Sequence, residues 1–377
     1  MNNNAMQLQH QWLKRPEDQC FDTVANLHDF NLKKQAVTRQ QTANLAEVRV
    51  VVDDGDLLLD TNGKRLVITN YAFNKLTQQI GASTEYLRKL SPELVADNMN
   101  YGFDNYGKKS FESLNAWEID ESGRAVDTNT KLIYHNNTAN ELINIVSPRY
   151  SILFDAELTS FALKLQDKFG LHPAPVTKSI DGKFNHYGLY ASHSDCFVFL
   201  STSDRPVLEF AQNPIYKGMM LWNGFDETFG YSLFLFSGIC CNYSIHQFTE
   251  KFSFNLRHTS KFFDRYKPDE MLVNLEKAFI GDNREEKEWL AKATKISLGH
   301  DEKEVLEELA KLRLPLLGKR TSQRVYEMSL DREDSYGEPC TVYSLGNCIT
   351  EIARDVPIAS IKRNYMQTAQ KVFDLAA

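Results

Sequence analysis

Alternation governs the first part of the chain. Val48, Val50 and Val51 lead to Asp54-Gly55, and Leu57, Leu59 and Leu66 to Ile68 flank Asn62-Gly63. Apolar residues two apart, separated by Asp-Gly or Asn-Gly, predict a β-meander with tight two-residue turns. The period then lengthens. Asn70 stands ahead of Phe73, Leu76 and Ile80, one face of a helix that Gly81 would end. Ser83 and Ser91-Pro92-Glu93 open two further short helices, the second with Leu94, Val95 and Met99 inward and Gly102 just beyond its end. Phe111 to Ile119 and Lys131 to His135 read as a hairpin, and Leu142 to Val146 runs into Pro148-Arg149-Tyr150. Asp155 caps an amphipathic helix through Leu158, Phe161, Leu165 and Phe169, with Gly170 as its stop.

From Pro173 to Asn255 the pattern is strand-like again, with a compact apolar stretch at Phe197 to Leu200 and another at Tyr231 to Cys241. After Phe262 helical spacing takes over: Met271, Leu272, Leu275 and Phe279, then Trp289-Leu290, then Val305, Leu306 and Leu309. Two last helices are expected at about Cys340 to Arg354 and Ile358 to Leu375. These elements predict an α+β fold: an N-terminal β-hairpin/helix half, a central antiparallel or mixed sheet, and a helical C-terminal part. The expected division is an N-terminal arm at 1–46, a core domain at 47–260 and a helical region at 261–377 packed on the core.

Composition narrows the function classes. The chain has 377 residues, 42% hydrophobic and 25% charged, which suits a globular protein with a sizeable core. The apolar run Tyr231 to Cys241 is too short to span a bilayer, and the Asn/Gln-rich start lacks the apolar segment of a secretory signal. Six scattered cysteines make no disulfide framework, so a cytoplasmic setting is expected. No Cys-x-x-Cys pair, P-loop or dinucleotide fingerprint occurs, and neither a metal nor a cofactor is expected. A net charge of −7 argues against a uniformly basic nucleic-acid coat, but binding depends on the local field.

One local field stands out. Between Lys251 and Lys267, the cations Arg257, Lys261 and Arg265 and the imidazole of His258 interleave with Phe252, Phe254, Phe262, Phe263 and Tyr266, and Asp264 is the only acid. Cations with aromatic neighbours can pair with phosphates and stack on bases. Arg149-Tyr150 and Arg88-Lys89 could extend that surface.

Several stretches resemble one family, the phage- and plasmid-associated proteins classed as domain of unknown function 932. Arg15-Pro16-Glu17-Asp18-Gln19-Cys20-Phe21 is similar to the family's entry motif, with Cys where Arg is usual. Ile68-Thr69-Asn70-Tyr71-Ala72-Phe73 through Tyr86-Leu87-Arg88-Lys89-Leu90 resembles its helical segment. Ser147-Pro148-Arg149-Tyr150 resembles its Ser-Asp-Arg-Tyr turn, with Pro148 replacing the acid. Cys240-Cys241-Asn242-Tyr243-Ser244 resembles a segment in which Gly follows Asn, and Arg257-His258-Thr259 looks like its Arg-His-Thr. Thr341-Val342-Tyr343, Asn347 and Thr350-Glu351 are similar to its C-terminal helix motif. The resemblance implies a mobile-element context in a bacterial host cell and no particular activity.

The leading expectation is an accessory protein of a phage or plasmid that binds nucleic acid, single-stranded DNA foremost, in recombination, replication or transfer. Arg149, Arg257, His258 and Lys261 would hold phosphates, with Tyr150 or an aromatic near Phe262 as a stacking platform and Thr259, Arg88 and Lys89 in the same nucleic-acid-binding set. A homo-oligomer would repeat a weak patch along a strand. Two alternatives belong to other classes: a hydrolase or nucleotide-modifying enzyme built on Cys241, His246 and His258, and a protein-binding inhibitor of host defence.

Overall fold

The computed structural model describes residues 16–105, 129–178, 184–210, 213–224, 228–237, 243–244, 254–280, 284–354, 365 and 368–376. The fold is α+β. The chain divides into two compact units: a smaller one of Phe30–Phe154 and His258–Phe263, and a larger one of Met1–Asp29, Asp155–Arg257 and Asp264–Ala377. This differs from the expected arm, core and helical region, because the chain enters and leaves the smaller unit twice.

The smaller unit holds a six-stranded sheet of β1 (Thr38–Asn44), β2 (Arg49–Asp53), β3 (Asp56–Thr61), β4 (Lys64–Ile68), β5 (Asn129–His135) and β6 (Glu141–Val146), in the order β1-β5-β6-β4-β3-β2. Every neighbouring pair is antiparallel except β4 with β6. The two predicted turns carry φ of 50° and 83° at Asp54-Gly55, and 52° and 84° at Asn62-Gly63. That left-handed pair matches the strand twist and is tolerated by Asn, Asp and Gly. Leu57, Leu59 and Leu66 are buried on one face, with Phe73 and Leu76 of α2 (Asn70–Gln79) and Val95, Met99 and Phe103 of α4 (Pro92–Asp104) in the same core.

Details of this unit depart from expectation. Thr69, not Asn70, caps α2, its Oγ1 accepting from Ala72 N at 3.2 Å. Gly102 lies inside α4, against Ile80, rather than past its end. Strand β5 pairs with β1 and β6; Phe111 to Ile119, its expected partner, lies outside the described residues. Strand β2 is a sheet edge, and Asn100 of α4 completes it: its Oδ1 accepts from Val50 N at 2.7 Å and its Nδ2 donates to Val50 O at 2.8 Å. An amide side chain thereby satisfies the N–H and carbonyl of Val50, two of the main-chain groups that an edge strand would otherwise present.

In the larger unit, β11 (Asp195–Phe210), β12 (Asn213–Gly224) and β13 (Thr228–Ser237) are long antiparallel strands. They lie between β10 (Leu189–Ala191) and β14 (Tyr243–Ser244), with β15 (Phe254–Arg257) also on β13. One face collects Phe197, Phe199, Met220 and Trp222, packed with Tyr190. Helix α5 (Asp155–Phe169) packs on β11 and β12, and Asn223 Nδ2 donates to Asp155 Oδ1 at 2.7 Å. Helices α8 (Arg284–Ala293), α9 (Glu302–Lys311), α10 (Lys319–Tyr336) and α11 (Val342–Arg354) bury a separate cluster around Leu290, Leu309, Val325 and Ile349. No helix among the described residues is long and apolar enough to cross a membrane.

Candidate nucleic-acid interface

Strand β6 ends at Val146, and Ser147-Pro148-Arg149-Tyr150 folds back as a β-turn, with Tyr150 N donating to Ser147 O at 3.0 Å. Proline fits the second position of such a turn because its φ is already set. Arg149, at the third position, is exposed. Lys131 of β5 fastens the turn by donating from Nζ to Tyr150 O at 2.7 Å. A lysine used this way stiffens the backbone on which the arginine stands.

The second segment arrives from β15. Arg257 closes that strand, paired with Thr228 of β13, and is exposed. His258 belongs to the smaller unit and is only 6% exposed. Its main-chain oxygen accepts from Ser151 N at 3.4 Å, and its Nδ1 lies 3.1 Å from Ser151 O, so in the tautomer protonated at that nitrogen the ring donates to the carbonyl. The imidazole tilts against Tyr150, with ring centroids 5.1 Å apart, and stacks on Phe262 at 5.0 Å and 11°. Thr259 O accepts from Phe262 N at 2.9 Å, closing the turn into α6 (Phe262–Arg265), while Thr259 and Lys261 are exposed.

The arrangement joins two segments that were singled out separately in the sequence. Arg149-Tyr150 and His258-Thr259 meet through Tyr150, Ser151 and His258, across 107 positions of chain between Ser151 and His258. Aromatic contacts of this kind contribute about 0.5–1.5 kcal/mol each beyond area burial. Exposed Arg149, Thr259 and Lys261 stand around that junction, and Arg149 and Lys261 make no ion pair among the described residues. A cation without a carboxylate partner keeps its whole field for an incoming anion.

His258 does not belong to the exposed set as expected. Burial makes it the wedge of the junction rather than a phosphate contact. Phe262 is likewise inside at 1% exposure and is no platform. Tyr150 is half-buried, with one side of its ring against His258. Arg88 also departs from expectation, because its guanidinium is committed to α2. It donates to Asn74 Oδ1 at 2.8 Å and Asn70 Oδ1 at 3.4 Å, and sits 5.5 Å from the centre of the Phe73 ring. Lys89 beside it is exposed, and no described side-chain contact links either residue to the Tyr150–His258 junction.

Cys241 and His246, candidates for nucleophilic chemistry, lie outside the described residues. Lys131, Ser151 and Phe263 take part in or border the junction and were not singled out individually for a role there. The one signal for Phe263 is the Phe-Phe pair at the start of α6, since consecutive helical residues point about 100° apart and meet different surroundings. Phe262 is buried, and Phe263 is 48% exposed. No family model matches this chain, and neither a curated protein nor a solved structure matches it.

Proposed function

We propose that the chain is an accessory protein of a phage or plasmid that binds single-stranded DNA in recombination, replication or transfer, in the cytoplasm of a bacterial host. The observation that carries this reading is the junction itself. Two cation-bearing turns are locked together by Tyr150 and His258, leaving Arg149, Thr259 and Lys261 exposed around one packed aromatic pair. Arg149 and Lys261 supply charge, Thr259 supplies a hydroxyl donor, and the stiff turns fix their spacing, which is what phosphate binding needs. The family resemblance adds the mobile-element context, and self-association would repeat the patch along a strand.

The test is fluorescence anisotropy of a labelled oligodeoxynucleotide across a salt series. Binding should weaken steeply with salt, and Arg149→Ala with Lys261→Ala should reduce the slope of log affinity against log salt by about 1.4, two contacts at about 0.7 each. No binding at low salt, or an unchanged slope in the double variant, overturns the reading.

A further inference from the structure

We infer that Phe263 is the stacking platform for an unpaired base at this junction, so that the ligand is recognised by the exposed face of a base as well as by its phosphates. The inference rests on the nucleic-acid reading above and adds to it the residue that would make the binding specific for single strands.

An exposed phenylalanine alone says little, because large apolar residues occur singly on many surfaces. What distinguishes Phe263 is its support. Its ring meets that of buried Phe262 edge-on, with centroids 5.3 Å apart at 82°. Phe262 stacks on His258, and His258 rests against Tyr150 while its Nδ1 lies 3.1 Å from Ser151 O. Four rings therefore run from the Arg149 turn to the surface: Tyr150 is half-buried, His258 and Phe262 are buried, and Phe263 is 48% exposed. A platform held this way loses little freedom when a ligand lands on it.

Its surroundings divide the ligand chemically. Lys261 and Thr259, exposed on the approach to α6, suit a phosphate. A base is uncharged and offers a π-face, which is what an exposed aromatic ring can take. A duplex keeps its bases stacked on one another and has no such face to offer along its length, so this platform takes a single strand.

The experiment compares the full chain and its Phe263→Ala variant against three probes of equal length: oligothymidylate, an abasic oligodeoxynucleotide with sugar and phosphate only, and a duplex. Wild type should bind oligothymidylate about tenfold more tightly than the abasic strand, the size of one base–aromatic stack. Phe263→Ala should lose that preference while keeping its affinity for the abasic strand and its salt slope, and Phe263→Trp should restore it. If Phe263→Ala keeps the preference for bases, the platform is elsewhere and the inference fails, while salt-dependent binding still supports the phosphate reading. If wild type binds none of the probes at low salt, both fall together.

Discussion

Arg149 and Arg332 carry the same side chain, and the fold uses them in opposite ways. Arg149 sits in a turn, exposed and without an ion pair among the described residues, next to a Tyr150 ring that rests against buried His258. Arg332 lies inside the helical cluster of the larger unit at 5% exposure. Its Nε donates to Glu338 Oε2 at 2.5 Å, and its Nη1 to Glu351 Oε2 at 3.3 Å. Gly337 makes this possible: with φ of 66° it ends α10 in a left-handed cap and turns the chain back, so that Glu338 faces the arginine one turn earlier. A buried cation whose charge is answered by two carboxylates contributes to specifying the fold and has little field left for a ligand. A cation raised on a stiff turn contributes almost nothing to the fold and keeps its field. Charge count along a sequence does not separate the two; burial and partners do.

The largest effect should come from breaking the buried side of this contrast. Arg332→Met leaves Glu338, 1% exposed, without its cation, and should cost about 3–5 kcal/mol in a urea melt. Adding Glu338→Gln and Glu351→Gln should recover much of that loss; if the single variant is as stable as wild type, the pair is not a structural element. Next comes the junction. His258→Ala removes a buried ring between Tyr150 and Phe262 and should destabilise by about 2 kcal/mol. His258→Phe, which keeps a ring but loses the contact from Nδ1 to Ser151 O, should lose only about 1 kcal/mol.

A smaller effect separates acids that have a cation from one that does not. Burial raises the carboxyl of Glu157 above its ordinary range, and burial followed by the charge of Glu157 pushes the Tyr266 hydroxyl up as well. A carboxyl raised in the folded state contributes stability that is fully present below its unfolded value and is lost as pH rises through the folded value. Glu157→Gln should therefore melt higher than wild type near neutral pH, and the gap should close below about pH 4, where both side chains are neutral. Thermal melts at the two pH values decide it; a gap that widens in acid has the wrong sign. The smallest stability effect belongs to Arg149→Ala, within about 0.5 kcal/mol of wild type, even though the proposed function has the same change weaken binding. A large loss of stability there would erase the difference between the two arginines.

Part of this organisation was legible beforehand for local reasons. Asp54-Gly55 and Asn62-Gly63 select their turns through backbone preference alone, and the face of α5 repeats at helical spacing whatever it packs against. Strand β1 was missed because Thr-Arg-Gln-Gln-Thr-Ala-Asn has no apolar alternation; its place comes from main-chain pairing with β5, which composition does not encode. Helix α10 was missed for a related reason, since its 18 residues are mostly polar and only a narrow stripe, with Val325 at its centre, enters the core. At the candidate site, Arg149 and Lys261 were identified by type and neighbourhood, and both are exposed. His258 and Phe262 were identified by the same criteria, and both are buried.

By itself the sequence determined the local elements whose signals lie within a few residues: the hairpin turns, the amphipathic helices, the α+β class and the clustering of cations with aromatics after Arg257. Only the tertiary structure decided which members of that cluster face solvent, because exposure depends on contacts made far along the chain. Ser151 and Tyr150 arrive from 107 and 108 positions upstream to meet His258, and their arrival turns His258 and Phe262 into core while leaving Arg149, Lys261 and Phe263 outside.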